Sequence, residues 1–241
     1  MKLDNQTVLI TGAARRVGRT MALAVARAGG DVIIHHNSSP EQAQQTRDEI
    51  IALGQQAWVL KSDFTDPDQT LALIAKAFDI RRIDALVNSA SIFTDHTWKT
   101  TTLEDWETHL QINLTAPFLL SQAYARRLSN NSQGRIVNIL DWRALRPGAD
   151  HFPYTVSKSG LLGLTKSLAA ALAPQVLVNG IAFGAILPPS DGGDVEEIIQ
   201  PVPLNRWAEM EEVGETLLFL LGGPSYITGE VIHLDGGRHL I

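Results

Sequence analysis

The chain has 241 residues and a formal net charge of −6, with 44% hydrophobic and 19% charged residues, as is ordinary for a globular protein. The acidic balance argues against nucleic acid or an anionic membrane as the main partner, and the absence of cysteine excludes structural disulfides, thiol catalysis and thiolate metal sites. No apolar run approaches the roughly 20 residues of a membrane span and residues 1–5 do not resemble a signal peptide, so a cytoplasmic location is expected.

Short β-branched or apolar runs alternate with longer helical patterns along the chain. The predicted strands are Thr7–Thr11, Val32–His36, Ala57–Lys61, Ala85–Asn88, Arg135–Leu140, Val176–Ala182 and Val231–Leu234. The predicted helices are Val17–Ala28, Glu41–Ala52, Asp66–Phe78, Leu103–Leu128, Pro153–Ala173 and Met210–Leu221. This alternation predicts one α/β domain over residues 1–241, a doubly wound parallel sheet of seven strands flanked by helices. Residues 184–202, rich in Pro, Gly and Asp, are predicted to be the substrate-binding loop.

The turn after the first strand, residues 11–18, reads Thr-Gly-Ala-Ala-Arg-Arg-Val-Gly. Gly12 permits a tight turn and Gly18 allows close contact between helix and strand, so backbone N–H groups can face a pyrophosphate. Arg15 and Arg16 are candidate anion contacts beside it. This motif alone leaves open a plain turn without a ligand.

The residues that end the second strand, 36–39, include no Asp or Glu that would hold the ribose 2′-hydroxyl of NAD. This absence favours NADP(H), whose 2′-phosphate could be held by Arg16, Asn37, Ser38 and Ser39, and His36 is expected to line the cofactor site. Ser39 is also the predicted N-cap before Pro40, which is compatible with both roles. His35 and His36 have no partner at metal-ligand spacing, so no metal site is predicted.

Two further strand ends carry candidate ligand contacts. Asp63, after the third strand, offers a carboxylate to an adenine amino group. After the fourth strand, the small residues 88–91 would let the backbone approach a cofactor, and Phe93 could stack on a flat heterocycle. Ordinary packing explains Phe93 equally well.

Tyr154 and Lys158 lie four residues apart at the start of a predicted helix, which places them on one helical face. An ammonium within about 5–6 Å favours the phenolate and lowers the pKa of a tyrosine. Tyr154 is therefore a candidate general acid–base group. Such a pair also arises by chance, but Pro153 places this one where open α/β sheets bind ligands.

The motifs together resemble the short-chain dehydrogenase/reductase family over essentially the whole chain. They comprise the turn at 11–18, Asn88-Ser-Ala-Ser91, Asn113, Tyr154-x-x-x-Lys158, Val178-Asn-Gly180 and Asp235-Gly-Gly237. The resemblance implies a Rossmann-type domain, a nicotinamide cofactor, a homotetramer and a small-molecule substrate. It implies Tyr154 as acid–base, Lys158 as support for Tyr154 and the nicotinamide ribose, and Asn113 as the holder of a relay water. The cofactor contacts expected from it also include Val17, Phe64, Asn88, Ser89, Ala90, Gly184 and Ile186.

Two departures from the family pattern narrow the resemblance. Arg16 stands where a third glycine is usual, and Asp141 stands in place of the usual catalytic serine. Both replacements occur together in pteridine reductases and in dihydromonapterin/dihydrofolate reductases of the family. By resemblance to that subgroup, Phe93 would sandwich a pterin against the nicotinamide. Ser91 and Arg16 would contact the pterin or the cofactor phosphates. Asp141 would then act with Tyr154.

The chemistry of Asp141 agrees with this narrower resemblance. A serine hydroxyl can donate to a carbonyl oxygen, whereas an ionised carboxylate only accepts hydrogen bonds. Asp141 can accept from ring N–H or amino groups, and if it is kept protonated it can deliver a proton to an imine nitrogen. The sequence therefore predicts an NADPH-dependent reductase of dihydropterins. A carbonyl or sugar-alcohol oxidoreductase, a non-catalytic NADP(H)-binding redox sensor, and an inactive protein with Asp141 as a plain strand-end residue remain as alternatives.

Overall fold

A computed structural model of the chain describes residues 1–129, 132–188 and 195–241. It has seven strands: β1 (Thr7–Ile10), β2 (Asp31–His36), β3 (Ala57–Lys61), β4 (Ala85–Asn88), β5 (Gly134–Asp141), β6 (Val176–Phe183) and β7 (Val231–Leu234). All pair in parallel in the order β3-β2-β1-β4-β5-β6-β7. The prediction of a single α/β domain with seven parallel strands is confirmed, each strand lying within one or two residues of its predicted bounds.

Helices cover both faces of the sheet, since parallel strands need crossovers. They are α1 (Arg16–Arg27), α2 (Pro40–Ala52), α3 (Pro67–Ile80), α4 (Leu103–Leu110), α5 (Ala116–Arg127), α6 (Phe152–Leu172), α7 (Val195–Ile199) and α8 (Met210–Gly222). One apolar core lies under α1, α2 and α8, and a second lies under α3 and α5. No helix in the described part of the chain is long and apolar enough to cross a membrane.

Two predicted segments differ from the structure. The single helix predicted over 103–128 is divided by a wide turn of π-helix, Gln111–Thr115, between α4 and α5. The segment predicted to be irregular, 184–202, contains the short helix α7, while residues 189–194 of that predicted loop lie outside the described residues. The π-turn is relevant to the site because it contains Asn113.

The sheet order reverses between β1 and β4, which are neighbours although two strands separate them in sequence. Open α/β sheets bind ligands at such a switch point, beyond the carboxyl ends of the strands. The segments that follow β1, β2, β3 and β4 meet there, and these are the segments that carry the predicted cofactor contacts.

Candidate active site

A cleft of about 390 Å³ opens at the switch point between β1 and β4. Most of the predicted cofactor contacts line it: Gly12, Arg15, Arg16, Val17, Gly18, His36, Asn37, Ser38, Ser39, Asp63, Phe64, Ser89 and Ala90, together with Ser91. The structure therefore brings together residues that lie up to eighty positions apart in the sequence. His35, Ser62, Ile92 and Ile112 also line the cleft and were not among the predicted contacts.

The turn after β1 needs its two glycines for steric reasons. Gly12 has a φ of 68°, and a Cβ on it would lie 3.0 Å from the Cα of Ala90. A Cβ on Gly18 would lie 2.1 Å from the carbonyl oxygen of Gly12. Because both obstacles are backbone atoms, a side chain cannot be accommodated by rotation alone, and the turn at the start of α1 packs this closely only with glycine at both positions.

His35 holds this turn from the neighbouring strand. Its Nδ1 accepts a hydrogen bond from the N–H of Gly12 at 3.1 Å, and its Nε2 lies 3.0 Å from the carbonyl oxygen of Ser62. The ring stacks on Phe64 with centroids 4.3 Å apart. Burial lowers the pKa of His35 to about 4, so the imidazole is neutral and can accept from Gly12 while donating to Ser62.

Arg16 occupies the position of the third glycine with a φ of 51°. Few residues other than glycine adopt this left-handed conformation, at a cost of roughly 1–2 kcal/mol. Its guanidinium reaches the carbonyl oxygen of Pro188 at 3.4 Å. Arg16 thus connects the glycine turn with the chain beyond β6, at the edge of the cleft.

The end of β2 offers polar groups that are not fully used within the protein. Nδ1 of His36 is buried without a hydrogen-bond partner among the described residues. Ser39 is the N-cap of α2, with Pro40 at its first position, but its hydroxyl makes no cap hydrogen bond. The predicted cap position is confirmed, and the Ser39 side chain stays available to a ligand. Asp63, across the cleft, accepts from the N–H and hydroxyl of Thr65 through Oδ1.

The segment after β4 is fixed to the end of β1. The N–H groups of Ser89 and Ala90 donate to the hydroxyl of Thr11 at 2.8 and 3.0 Å. The side chain of Asn88, by contrast, lies in the interior and donates to Ser121 and Asn138. Asn88 does not line the cleft, and its Nδ2 joins β4 to α5 and β5, so its predicted role as a cofactor contact stays a prediction.

Asn113 braces the site from the π-turn. Its Oδ1 accepts from the hydroxyl of Ser91 and the N–H of Ile92, and its Nδ2 donates to the carbonyl oxygen of Ile92 and the hydroxyl of Ser157. All four hydrogen-bonding positions of the amide are filled by protein groups. A relay water of the kind the sequence predicts would therefore have to use the main chain here.

Tyr154 and Asp141 meet at the carboxyl end of β5. The hydroxyl of Tyr154 donates to Oδ2 of Asp141 at 3.0 Å, and the backbone N–H of Arg143 donates to Oδ1 at 2.9 Å. Both carboxyl oxygens thus accept hydrogen bonds, as expected of a carboxylate. The side chain of Asp141 points toward Tyr154, as the pterin hypothesis requires.

The prediction of a lowered pKa for Tyr154 is wrong. Burial, the charge of Asp141 and the hydrogen bond to Asp141 raise the pKa of Tyr154 well above its ordinary value. The ammonium of Lys158 donates to the carbonyl oxygen of Ile139 at 2.7 Å and lies 5.6 Å from the centre of the Tyr154 ring. Burial lowers the pKa of Lys158 itself to about 8. Because its own pKa is raised, the Tyr154 phenol is protonated at neutral pH.

Phe93 lies beside this pair with half of its surface exposed. Its ring stacks on His151 with centroids 3.9 Å apart. It packs nearly perpendicular to the Tyr154 ring, with centroids 4.7 Å apart. His151, which precedes α6, is held by the carbonyl oxygen of Thr94 at 2.9 Å. Sequence reasoning did not identify His151, since nothing in its sequence neighbourhood places it against Phe93. One face of Phe93 is covered by protein, and 54% of the residue remains accessible.

A family model described as Enoyl-(Acyl carrier protein) reductase matches residues 12–239. The chain therefore belongs to the short-chain dehydrogenase/reductase family. It is an NAD(P)-dependent oxidoreductase of that family. Among curated relatives, a 3-oxoacyl-[acyl-carrier-protein] reductase of Synechocystis is 35% identical, over 98% of this chain and 97% of the relative.

Two solved structures with bound NADP are similar to this one. FolM alternative dihydrofolate reductase 1 from Brucella canis, complexed with NADP, has a TM-score of 0.94 and 34% identity, covering 99% of this chain and 96% of its own. A short chain dehydrogenase from Burkholderia cenocepacia, also in complex with NADP, has a TM-score of 0.91 and 32% identity, covering 99% of each chain. The fold and the family prediction are thus confirmed.

The residues of this family member fit a dinucleotide on two observations. Gly12 and Gly18 line the cleft, and the close backbone packing that they permit keeps the turn beside it free of side chains at both positions. The buried Nδ1 of His36 has no protein partner in the described part of the chain, at the end of β2 where the second ribose of a dinucleotide is expected. Gly184 and Ile186 do not line the cleft, because Gly184 packs on the backbone of Asp235 and Ile186 is buried in the core.

Proposed function

We propose that the chain is an NADPH-dependent reductase that converts dihydropterins, such as dihydrobiopterin, dihydromonapterin or dihydrofolate, to the tetrahydro form. The observation that carries the proposal is the carboxylate of Asp141 hydrogen-bonded to the hydroxyl of Tyr154. A pocket that presents acceptors suits a substrate that carries ring N–H and amino donors, as a pterin does. The likeness to a protein named as an alternative dihydrofolate reductase supports the same substrate class.

Tyr154 supplies the proton in this proposal. Burial and Asp141 raise its pKa, so the phenol carries its proton at neutral pH and can donate it to an imine nitrogen. The bound nicotinamide supplies hydride to the adjacent carbon. Asp141 orients the hydroxyl and keeps lone pairs free for donors on the substrate.

Two cations offset the charge that proton donation leaves on Tyr154. The guanidinium of Arg143 favours the phenolate by its charge. The ammonium of Lys158, 5.6 Å from the ring centre, is the second. Loss of either cation therefore raises the cost of donating the proton.

Phe93, Ser91 and Arg16 would contact the pterin or the cofactor phosphates. Phe93 is half exposed and its ring packs against that of Tyr154, so we expect a flat ring resting on Phe93 to lie beside the proton donor. Ser91 lines the cleft, and its hydroxyl donates to Asn113. Residues 184–202 remain the proposed substrate-binding loop.

The cofactor would be held by the glycine turn and by the residues that end β2. No carboxylate projects from residues 36–39, so a 2′-phosphate meets no like charge there. An Asn37→Asp variant should weaken NADPH binding and raise the relative affinity for NADH, measured by titrating each cofactor. Gln45→Glu, on the exposed face of α2, is the control of equal charge. A wild-type preference for NADH would contradict this part of the proposal.

The test of the function is turnover by the purified protein. We expect NADPH oxidation with 7,8-dihydrobiopterin, dihydromonapterin or dihydrofolate, and its absence with all three would overturn the proposal. An Asp141→Ser variant keeps an N-cap side chain before the turn at Trp142–Ala144, so it is expected to fold. It should lose dihydropterin turnover, whereas Asp79→Ser at the exposed end of α3 should not.

A second candidate function is reduction of a carbonyl group. The similarity to a 3-oxoacyl-[acyl-carrier-protein] reductase favours it. It predicts turnover of ketones or 3-oxoacyl thioesters by the wild type, and an Asp141→Ser variant should then keep or gain activity. The same substitution therefore has opposite outcomes under the two functions.

A further inference from the structure

Two arginines lie over the ring of Trp142, the residue that follows Asp141, and the backbone N–H of a third, Arg146, donates to the carbonyl oxygen of Trp142 at 3.0 Å. The guanidinium carbons of Arg143 and Arg238 lie 4.8 and 4.9 Å from the centre of the Trp142 ring. Arg146 is close enough that its charge, together with burial and the charge of Arg143, lowers the pKa of Arg238. Asp141 and Asp150 lie beside Arg143, so three positive charges stand against two negative ones and a further negative charge is favoured in this cluster.

The cluster borders the candidate active site directly. Arg143 lies 3.6 Å from Oδ1 of Asp141, and its guanidinium carbon lies 5.8 Å from the centre of the Phe93 ring. A group bound between Phe93 and Asp141 would therefore lie beside the guanidinium of Arg143, and Arg238 follows on the ring of Trp142.

The arginines differ in whether their charge is already compensated. Arg143 pairs with Asp150 through Nε and Nη2, at 3.2 and 2.6 Å. Arg238 and Arg146 have no carboxylate within 4.0 Å in residues 1–129, 132–188 and 195–241. Arg238 is also half-buried, so its guanidinium has lost part of its water without gaining an ion-pair partner.

A built turn presents Arg238. The buried carboxylate of Asp235 accepts from the N–H of Gly237 at 2.9 Å and from the N–H and Nδ1 of His239 at 2.9 and 2.7 Å. Gly236 and Gly237 have φ values of 61° and 87°, which glycine adopts readily. The turn fixes the backbone on both sides of Arg238, so the position of this cation over Trp142 is specified by the fold.

We propose that Trp142, Arg143 and Arg238, with Arg146 at the edge, form a subsite for an anionic substituent of the substrate. This inference rests on the proposed function and deepens it. Among dihydropterins, those with a carboxylate- or phosphate-bearing tail are preferred to those with a neutral side chain. A charge-assisted hydrogen bond from an arginine corresponds to about a tenfold or greater preference.

The test compares three substrates that share the reacting ring. Dihydrofolate carries carboxylates, dihydroneopterin triphosphate carries phosphates, and dihydrobiopterin is neutral. We expect the ratio of kcat/KM for an anionic substrate to that for dihydrobiopterin to fall on the order of tenfold in Arg238→Gln. It should also fall with rising ionic strength in the wild type. The anionic substrate that shows the larger loss identifies the carboxylate or the phosphate as the recognised group.

Arg127→Gln is the matched control. Arg127 also lies over an aromatic ring, at 5.8 Å from the centre of Phe78, but it is exposed at the end of α5 before the amino end of β5. This variant should leave the substrate ratio unchanged. Thermal unfolding of both variants shows whether either loses stability.

A binding measurement separates the subsite from the proposed function. Calorimetry with N-(4-aminobenzoyl)glutamate, the tail of dihydrofolate, and with inorganic triphosphate should show weaker binding to Arg238→Gln than to the wild type and Arg127→Gln. If no dihydropterin is turned over but this difference is found, the subsite stands and the proposed function fails. An unchanged substrate ratio, or equal binding of both probes to all three proteins, overturns the subsite.

Discussion

The hydroxyl of Tyr154 donates to Oδ2 of Asp141 across 3.0 Å, so the candidate proton donor is joined directly to the carboxyl group that replaces the usual serine. Burial raises the pKa of Tyr154, and the carboxylate adds to the rise through its charge and through the hydrogen bond. The tyrosine is thus held ready as an acid, in contrast to the phenolate that its spacing from Lys158 first suggested.

Removing the charge of Asp141 should lower the pKa of Tyr154. Asp141→Asn keeps an oxygen that can accept from the phenol but not the negative charge that opposes ionisation. The near-ultraviolet absorbance of phenolate measures the change. The chain has three tyrosines, and burial raises the pKa of Tyr124. Tyr226 is fully exposed, so its phenolate signal would overlap that of Tyr154. The measurement is therefore made in a Tyr226→Phe background. Equal titration of Tyr154 with and without Asp141→Asn would contradict the assigned cause.

Tyr154→Phe removes the hydroxyl that donates the proton. It should therefore lower kcat for NADPH oxidation by roughly 10²–10⁴-fold.

The buried Lys158 should impose an alkaline limit on activity. Its pKa is lowered to about 8 by burial, so the ammonium is progressively lost as the pH rises through this value. We expect kcat/KM to fall above about pH 8 and Lys158→Arg to move this fall to higher pH, because an arginine keeps its charge. Lys166→Arg, exposed on the same helix, should leave the pH profile unchanged. A wild-type profile that is flat across this range would show that the charge of Lys158 is not needed.

His35 should make the free energy of unfolding depend on pH. The unfolded chain binds a proton at a histidine near pH 6.5, but the folded chain does so only near pH 4, so stability is lost as the pH falls through this window. The loss amounts to about 3 kcal/mol, at about 1.4 kcal/mol for each unit of pKa difference. Denaturant unfolding at several pH values should show a shallower decline for His35→Gln than for the wild type. The same dependence of the unfolding free energy on pH in both proteins would show that folding does not lower the pKa of His35.

The glycines offer a paired test of packing at the glycine turn. Gly18→Ala places a Cβ 2.1 Å from the carbonyl oxygen of Gly12, so the backbone must shift. We expect a loss of about 2 kcal/mol or more in the free energy of unfolding, with weaker dinucleotide binding. Gly163 lies within α6 with nothing within 4 Å of an added Cβ, so Gly163→Ala should stabilise the protein by up to about 1 kcal/mol. Similar unfolding free energies for the two variants would contradict the steric account of Gly18.

The sequence predicts the sheet well because each strand is a short β-branched or apolar run bounded by glycine or a polar turn. The break at Gln111–Thr115 is not visible in the same way, since the apolar spacing continues through it and only the hydrogen bonds of Asn113 reveal its function. A periodic pattern identifies which residues face the core. It does not specify how the backbone is wound between them.

The candidate site was predictable where a motif determines the backbone, as in the glycine turn. It was less predictable where a long side chain has several possible hydrogen-bond partners. The spacing of Tyr154 and Lys158 indicates a shared face, but the ammonium donates to Ile139 and the phenol to Asp141. The contacts of His35 with Gly12 and of His151 with Phe93 join distant segments, and local sequence carries no signal for them.

The four hydrogen bonds of Asn113 join the strand-end segment at Ser91 and Ile92 to Ser157 in the helix that carries Tyr154. Ser91 and Ile92 line the cleft, so one amide fixes the separation between the cleft and the helix of Tyr154 before any ligand arrives. We therefore expect discrimination among related substrates to depend on the side chains that line a preformed site, and little on closure of that site around the substrate.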